Sequence, residues 1–321
     1  MNEPSVDRSP EVSVVIPLYR SAESIGRVVG EIEAVAREID LELILVNDGS
    51  PDNTLEVCRE LATRCRVPLT LVNLSRNFGE HNAVMAGYRH ARGRWTVNLD
   101  DDGQNPPAEI PRLVEAATRG GHEVVFGRYR EKRHSAWRNL GSWFANKVAE
   151  WTLDKPRGLY LSSFRCVSAF VAREVTRYEG PYPYIDGLIL QVTNQLSSID
   201  VDHRPRDSGS SGYTLRKLVR LWLNMFVNFS VQPLRLATWL GLAMGAVGVL
   251  GVLGVAVLWW RGVGPAFGWG SLMAALLIFS GAQMVVLGLI GEYLGRTYLS
   301  ANRRPQAIEH DVRRTEPASR G

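Results

Sequence analysis

The chain has 321 residues, of which 45% are apolar and 22% charged, and its formal net charge is +4. This composition excludes a disordered or low-complexity chain and leaves room for one ordinary globular domain plus a further element. The modest positive charge argues against nucleic acid as a partner, because the basic residues gather late in the chain, where anionic lipid and phosphate fit them better.

In chain order, Met1 to Pro10 is short and polar, and the first apolar stretch, Val12 to Leu18, is only strand-length. No export signal is read there, so the N-terminal domain is expected on the cytoplasmic side. Glu11 to Pro17 reads as a buried strand. Ser21 to Ile39 follows as a helix, with Ile25, Val28, Val29, Ile32, Val35 and Ile39 at helical spacing. Leu41 to Val46 is a second apolar strand that ends in Asn47-Asp48-Gly49-Ser50, and Thr54 to Arg64 is helical. Leu69 to Asn73, Trp95 to Leu99 and Glu123 to Phe126 are further strands, separated by helices over Glu80 to Arg92 and Pro107 to Arg119. Such alternation predicts a doubly wound, mostly parallel α/β sheet whose ligands bind beyond the carboxyl ends of the strands. No GxGxxG follows the first strand and no GxxxxGK[ST] occurs, so dinucleotide and P-loop readings lose their main support. Cys58, Cys65 and Cys166 have no ligand spacing and read as reduced thiols.

Leu215, Leu218, Trp222, Met225, Phe226 and Phe229 form one helical stripe, with Arg216, Lys217, Arg220, Asn224 and Asn228 on other faces. This predicts an amphipathic helix lying in a membrane interface. Leu236 to Trp260 and Gly262 to Gly291 then carry no charge at all. A span needs about 20 apolar residues, so the two runs predict a transmembrane hairpin turning at Arg261. Arg216, Lys217, Arg220 and Arg235 precede it and Arg296, Arg303 and Arg304 follow, which places both flanks on the cytoplasmic side. The pairs Gly241, Gly245 and Gly291, Gly295 could pack helices within the hairpin or between chains, so a homo-oligomer is one option. The expected organisation is a tail over 1–10, an α/β domain over 11–213, an interfacial segment over 214–234 and a hairpin over 235–298, with spans at 236–260 and 268–291. Residues 299–321 read as a basic, disordered tail.

The chemistry concentrates at Asp100-Asp101-Asp102-Gly103-Gln104-Asn105-Pro106-Pro107, directly after a strand. Alternate residues leaving a strand point the same way, so Asp100 and Asp102 can converge while Asp101 diverges. With the Gln104 amide oxygen they suit a hard divalent cation, Mg²⁺ or Mn²⁺.

Val15-Ile16-Pro17-Leu18-Tyr19, Val46-Asn47-Asp48-Gly49-Ser50, Arg76-Asn77-Phe78-Gly79 with Ala83 and Gly87, and then Asp100 to Pro107 resemble glycosyltransferase family two, which has a GT-A fold. Ser163-Phe164-Arg165 and Arg206-Asp207-Ser208-Gly209-Ser210-Ser211-Gly212-Tyr213 resemble its polyprenyl-phosphate glycosyltransferase branch. The resemblance implies that Pro17, Tyr19, Val46 and Asp48 hold the nucleoside of a nucleotide-diphosphate sugar. It places Asp100, Asp101, Asp102 and Gln104 at the donor, with metal on Asp100, Asp102 and Gln104. Arg138, Arg165 and Arg206 resemble arginines that meet the donor diphosphate or the lipid phosphate, and Arg128, Arg130 and Arg133 are local alternatives. Asp102, Arg138 and Arg206 are the implied catalytic residues.

The implied reaction is inverting sugar transfer to a polyprenyl phosphate, with undecaprenyl phosphate the expected acceptor, at a lipid bilayer. Three positions depart from the family pattern. Arg20-Ser21 stands where Asn-Glu is common, Asn47-Asp48 replaces Asp-Asp, and Gly212 occupies a frequent Lys position. Two rivals stay open at this point. One is a family-two enzyme acting on a sugar hydroxyl, although no QxxRW motif occurs. The other is a non-catalytic membrane scaffold that keeps a nucleotide pocket.

Overall fold

The structure is a computed structural model and describes residues 9–129, 156, 158–180, 183–202, 204, 232–262, 269–302 and 305–317. The chain divides into two compact units, Met1–Tyr213 with Arg304–Gly321, and Thr214–Arg303.

In the first unit, strands and helices alternate from the start. They run β1 (Val12–Leu18), α1 (Ile25–Val35), β2 (Leu41–Asn47), α2 (Thr54–Arg64), β3 (Leu69–Leu74), α3 (Glu80–His90) and β4 (Trp95–Asn98). A 3-10 turn (Pro107–Glu109) leads into α4 (Ile110–Gly120), which ends on Gly121 in the left-handed region at φ 62. Strands β5 (Val124–Tyr129) and β6 (Arg165–Ser168), helices α5 (Ala169–Thr176) and α6 (Ile185–Val192), and strand β7 (Leu196–Val201) follow. Strand β8 (Glu309–Thr315) comes last.

The eight strands order as β7-β5-β6-β4-β1-β2-β3-β8. The continuous apolar runs of β1 and β2 are buried on both faces, as strands inside a parallel sheet must be. The apolar stripe of α1 packs Ile25, Val28, Val29, Ile32 and Val35 onto one side. The helix is shorter at both ends than its periodicity predicts, and ahead of it the Ser21 amide donates to Thr54 Oγ1 at 2.9 Å.

Two strands correct the sequence reading. β6 enters antiparallel between β4 and β5, although β5 pairs with β7 in parallel. β8 pairs antiparallel with β3, so part of the segment expected to be a disordered tail is an edge strand. Gln306, just ahead of it, is buried and donates to the Tyr178 and Gly180 carbonyls at 2.6 and 2.8 Å. Charged residues dominate β8, as at an edge that must refuse further partners.

The second unit holds α7 (Gln232–Trp260) and α8 (Trp269–Ala301). Among the described residues one stretch, Ile278–Leu299, is long and apolar enough to cross a membrane, and Ala237–Gly251 is a shorter apolar stretch. Of the expected pair of spans, one has a long enough candidate among the described residues, and the other corresponds only to a stretch short of that length. None of the Ile278–Leu299 window is buried by protein. The predicted amphipathic stripe from Leu215 to Phe229 lies outside the described residues.

Candidate active site

The carboxyl ends of β1, β2 and β4 open onto one cleft of about 610 Å³. Pro17, Leu18 and Tyr19 leave β1 along one wall, Asp48 leaves β2, and Asp100, Asp101, Asp102 and Gln104 leave β4. Tyr19 keeps 46% of its surface exposed. Five carboxylates line the cleft, counting Glu80, and no described lining residue is basic.

The three consecutive aspartates lie beyond the end of β4 and all line the cleft, so Asp101 does not diverge from it, and each has its own partner. Asp100 Oδ2 accepts from Asn105 Nδ2 at 2.9 Å and from Ser163 Oγ at 2.7 Å. Asp101 accepts from the Ser21 hydroxyl on the β1 side. Asp102 Oδ1 accepts the Gln104 amide at 3.0 Å, which closes the loop back on itself. The Gln104 carbonyl in turn accepts from the Arg204 amide at 2.8 Å. Ser21 thus gives the unusual Arg20-Ser21 pair a function, joining Thr54 to Asp101. Arg20 itself takes φ 60, sparsely used by residues other than glycine, with its guanidinium carbon 5.6 Å from the Tyr19 ring centre.

Crowding the carboxylates makes their ionisation unfavourable. Burial pushes the Asp101 carboxyl up to about 6, opposed by the Ser21 hydroxyl and reinforced by Asp100 and Asp102. Burial also raises Asp100, against the Ser163 hydroxyl. Glu80 is raised by burial and by Asp100. A cation placed among these groups would reverse each of those penalties.

Asp48 lies at the cleft, yet its oxygens are committed to backbone. Oδ1 accepts from the Phe78 amide at 2.7 Å and Oδ2 from the Gly79 amide at 2.8 Å. Next to it Gly49 has φ 58, and a Cβ there would fall 2.3 Å from the Arg76 carbonyl carbon. The β2 end and the turn before α3 therefore interlock, so that Asn77 in the turn and Glu80 at the start of α3 reach the cleft.

Three expected contacts are not brought to the cleft. Val46 is fully buried, because alternation along β2 turns it onto α3, where a Cβ at Gly87 would stand 3.2 Å from Val46 Cγ2. Arg165 is only 2% exposed and pairs with Asp186. Arg128 is exposed on β5 and pairs across the strands with Asp200 on β7. Arg130, Arg133, Arg138 and Arg206 lie outside the described residues.

Two lining residues escaped sequence reasoning. Glu80 opens α3, where an acid reads simply as a favourable helix start. Ser163 belongs to the Ser163-Phe164-Arg165 motif, but only the register of β6 reveals what it faces. The cysteines are all buried and free, and burial pushes the Cys58 thiol up to about 12 and Cys65 up to about 11.

A family model described as glycosyl transferase family 2 matches residues 13–174, and one described as GtrB C-terminal hairpin matches residues 232–297. The chain is similar to the undecaprenyl-phosphate 4-deoxy-4-formamido-L-arabinose transferase of Pseudomonas syringae pv. syringae (strain B728a), at 32% identity, covering 96% of this chain and 93% of that one. It is also similar to the transferase of the same name from Edwardsiella ictaluri (strain 93-146), at 35% identity and 95% coverage of both chains. The fold resembles the crystal structure of glucosyl-3-phosphoglycerate synthase from Mycobacterium tuberculosis, solved with Mn²⁺, uridine diphosphate and phosphoglyceric acid. That match has a TM-score of 0.51 and 18% identity, over 68% of this chain and 76% of the other.

Proposed function

The chain belongs to glycosyl transferase family 2, and from that footing we propose that it moves a sugar from a nucleotide-diphosphate sugar to undecaprenyl phosphate, inverting the anomeric centre. The observation that carries this reading is the similarity along nearly the whole chain, hairpin included, to transferases whose names specify undecaprenyl phosphate. The acidic cleft at the carboxyl ends of β1, β2 and β4 supports it as a donor site.

A donor diphosphate is itself anionic, so five lining carboxylates, with no cation among the described lining residues, suit it only with a counter-charge. Asp100, Asp102 and Gln104 fit that need as hard oxygen donors for Mg²⁺ or Mn²⁺. When bound, such an ion supplies Lewis-acid stabilisation of the departing nucleoside diphosphate. Asp100 and Asp102 would hold that ion at the diphosphate end, and Tyr19 offers an exposed ring beside Pro17 for the nucleoside. Asp48 acts one step removed, by fixing the turn that presents Asn77 and Glu80.

The acceptor phosphate has a second pKa near about 6, so it is already anionic at neutral pH. Its oxygen forms the new bond to the anomeric carbon while the bond to the donor's diphosphate oxygen breaks on the opposite face. No dedicated base is then needed, and positioning and charge stabilisation carry the rate. Arg138 and Arg206 are assigned to the phosphates. Arg204 donates its amide to the Gln104 carbonyl at 2.8 Å, beside the acidic loop.

Helices α7 and α8 carry no charge over Leu236–Trp260 and Trp269–Gly291, which suits lipid contact, and we assign them to a two-span anchor with the catalytic unit and both termini on the cytoplasmic face. The basic flanks and the single Arg261 between the spans support that orientation. Incubating the detergent-solubilised protein with undecaprenyl phosphate and a panel of nucleotide sugars, with Mn²⁺ or with EDTA, tests the proposal. A glycolipid found by mass spectrometry only with metal supports it. Donor hydrolysis or transfer to a sugar hydroxyl, without glycolipid, sinks it.

A further inference from the structure

β6 runs antiparallel to β4, with Asn98 opposite Arg165. Carrying that register two residues past the end of β4 sets Asp100 opposite Ser163. The strands have ended by then, yet the pairing persists through side chains, because Ser163 Oγ donates to Asp100 Oδ2 at 2.7 Å. Asn105 Nδ2 reaches the same oxygen at 2.9 Å from the other end of the acidic loop. Both donors converge on Oδ2, and Oδ1 accepts no hydrogen bond from a described residue.

We propose that Ser163 and Asn105 are positioning residues that pin one oxygen of Asp100, so that the carboxylate offers its other oxygen, singly and in a fixed direction, to a divalent cation. This rests on the metal reading above. A carboxylate free to rotate offers a hard cation one or two oxygens in several geometries. Mg²⁺ and Mn²⁺ favour ordered oxygen shells, and partners that orient a ligand set its affinity. Because β6 runs antiparallel to β4, it begins beside the acidic loop, with Ser163 just ahead of its first residue. Phe164, between the two polar residues, turns to the opposite face and is fully buried, which holds Ser163 toward the cleft.

The test is Mn²⁺ titration of the full-length protein in detergent, followed by the loss of the free-ion paramagnetic resonance signal. It is run with Mn²⁺ alone and with UDP, GDP, CDP or dTDP. Ser163→Ala and Asn105→Ala are each expected to weaken Mn²⁺ binding by about 10- to 100-fold. Ser163→Thr keeps the hydroxyl and should restore wild-type binding, which separates lost positioning from lost folding. In turnover, the Ser163→Ala defect should shrink as Mn²⁺ is raised, a behaviour that a direct sugar contact would not produce. Wild-type Mn²⁺ affinity in Ser163→Ala, with Asp102→Asn losing binding, overturns the positioning role and leaves the metal site standing. Absence of binding by the wild-type protein under every condition overturns the metal reading and this inference with it.

Discussion

Asp48 and Gly79 meet across the cleft floor, the carboxylate Oδ2 accepting the glycine amide at 2.8 Å while Oδ1 holds the neighbouring Phe78 amide. Asp48→Asn replaces one acceptor with an NH₂ group that faces an N–H donor. An unsatisfied buried donor costs about 1–3 kcal/mol, so thermal unfolding should shift downward by that amount. Turnover should fall as well, because Asn77 and Glu80 lose their support. If Asp48 instead reads the nucleoside directly, the variant keeps wild-type stability and loses nucleotide affinity alone. Calorimetry of unfolding beside nucleotide titration distinguishes the two.

His81 supplies a pH dependence with a defined sign. Its ring packs edge-on against Tyr184 at 5.4 Å, and burial beside Arg165 pushes its pKa down to about 4. The folded state therefore keeps it neutral, whereas an unfolded chain protonates it near about 6.5. Its contribution is complete above about 6.5 and is lost as pH falls from there toward 4, on the order of 1–3 kcal/mol in total. Asp101, raised to about 6, acts in the opposite direction, its contribution fading as pH rises through 6. The comparison must therefore be between variants. His81→Gln should lose less stability than wild type between pH 7.5 and pH 5. Parallel melting profiles would rule the histidine out.

Gln306 ties the C-terminal strand to the body of the sheet domain. Its amide nitrogen donates to two carbonyls after α5, and its oxygen accepts from Arg89 on α3 at 3.0 Å. Gln306→Ala removes the donor for both carbonyls and should destabilise the domain by about 1–3 kcal/mol. Deletion of residues 305–321 should cost more and expose the β3 edge to aggregation. Urea unfolding of the full-length variants checks both. Unchanged midpoints would return this segment to the status of a loose tail.

The strand-end acids were legible in the sequence because an α/β sheet gathers chemistry at one end, and Asp48 and Asp100–Asp102 follow buried strands directly. The resemblance named segments that line the cleft, among them Pro17, Tyr19, Asp48 and Asp100–Asp102, but not which way each side chain turns. Val46 faces α3 because β2 is buried on both sides, and Arg165 is drawn inward by Asp186, 21 residues later. β6 and β8 were not legible for a related reason. Four residues, Arg165–Ser168, are too few to show a period, and the charged run Glu309–Thr315 reads as solvated chain until β3 supplies its pairing edge. Long-range register decides both, and local pattern does not encode it.

The central claim is that a lipid phosphate is the nucleophile, and phosphorus NMR of the acceptor observes that bond directly. With undecaprenyl phosphate, a productive nucleotide sugar and Mn²⁺, the monoester resonance should decline as a phosphodiester resonance and free nucleoside diphosphate grow in equal amounts. Asp102→Asn should leave the monoester unchanged while its fold persists by circular dichroism. Release of nucleoside diphosphate with the lipid monoester intact would mean that the sugar goes to water or to a hydroxyl, and would contradict the assignment.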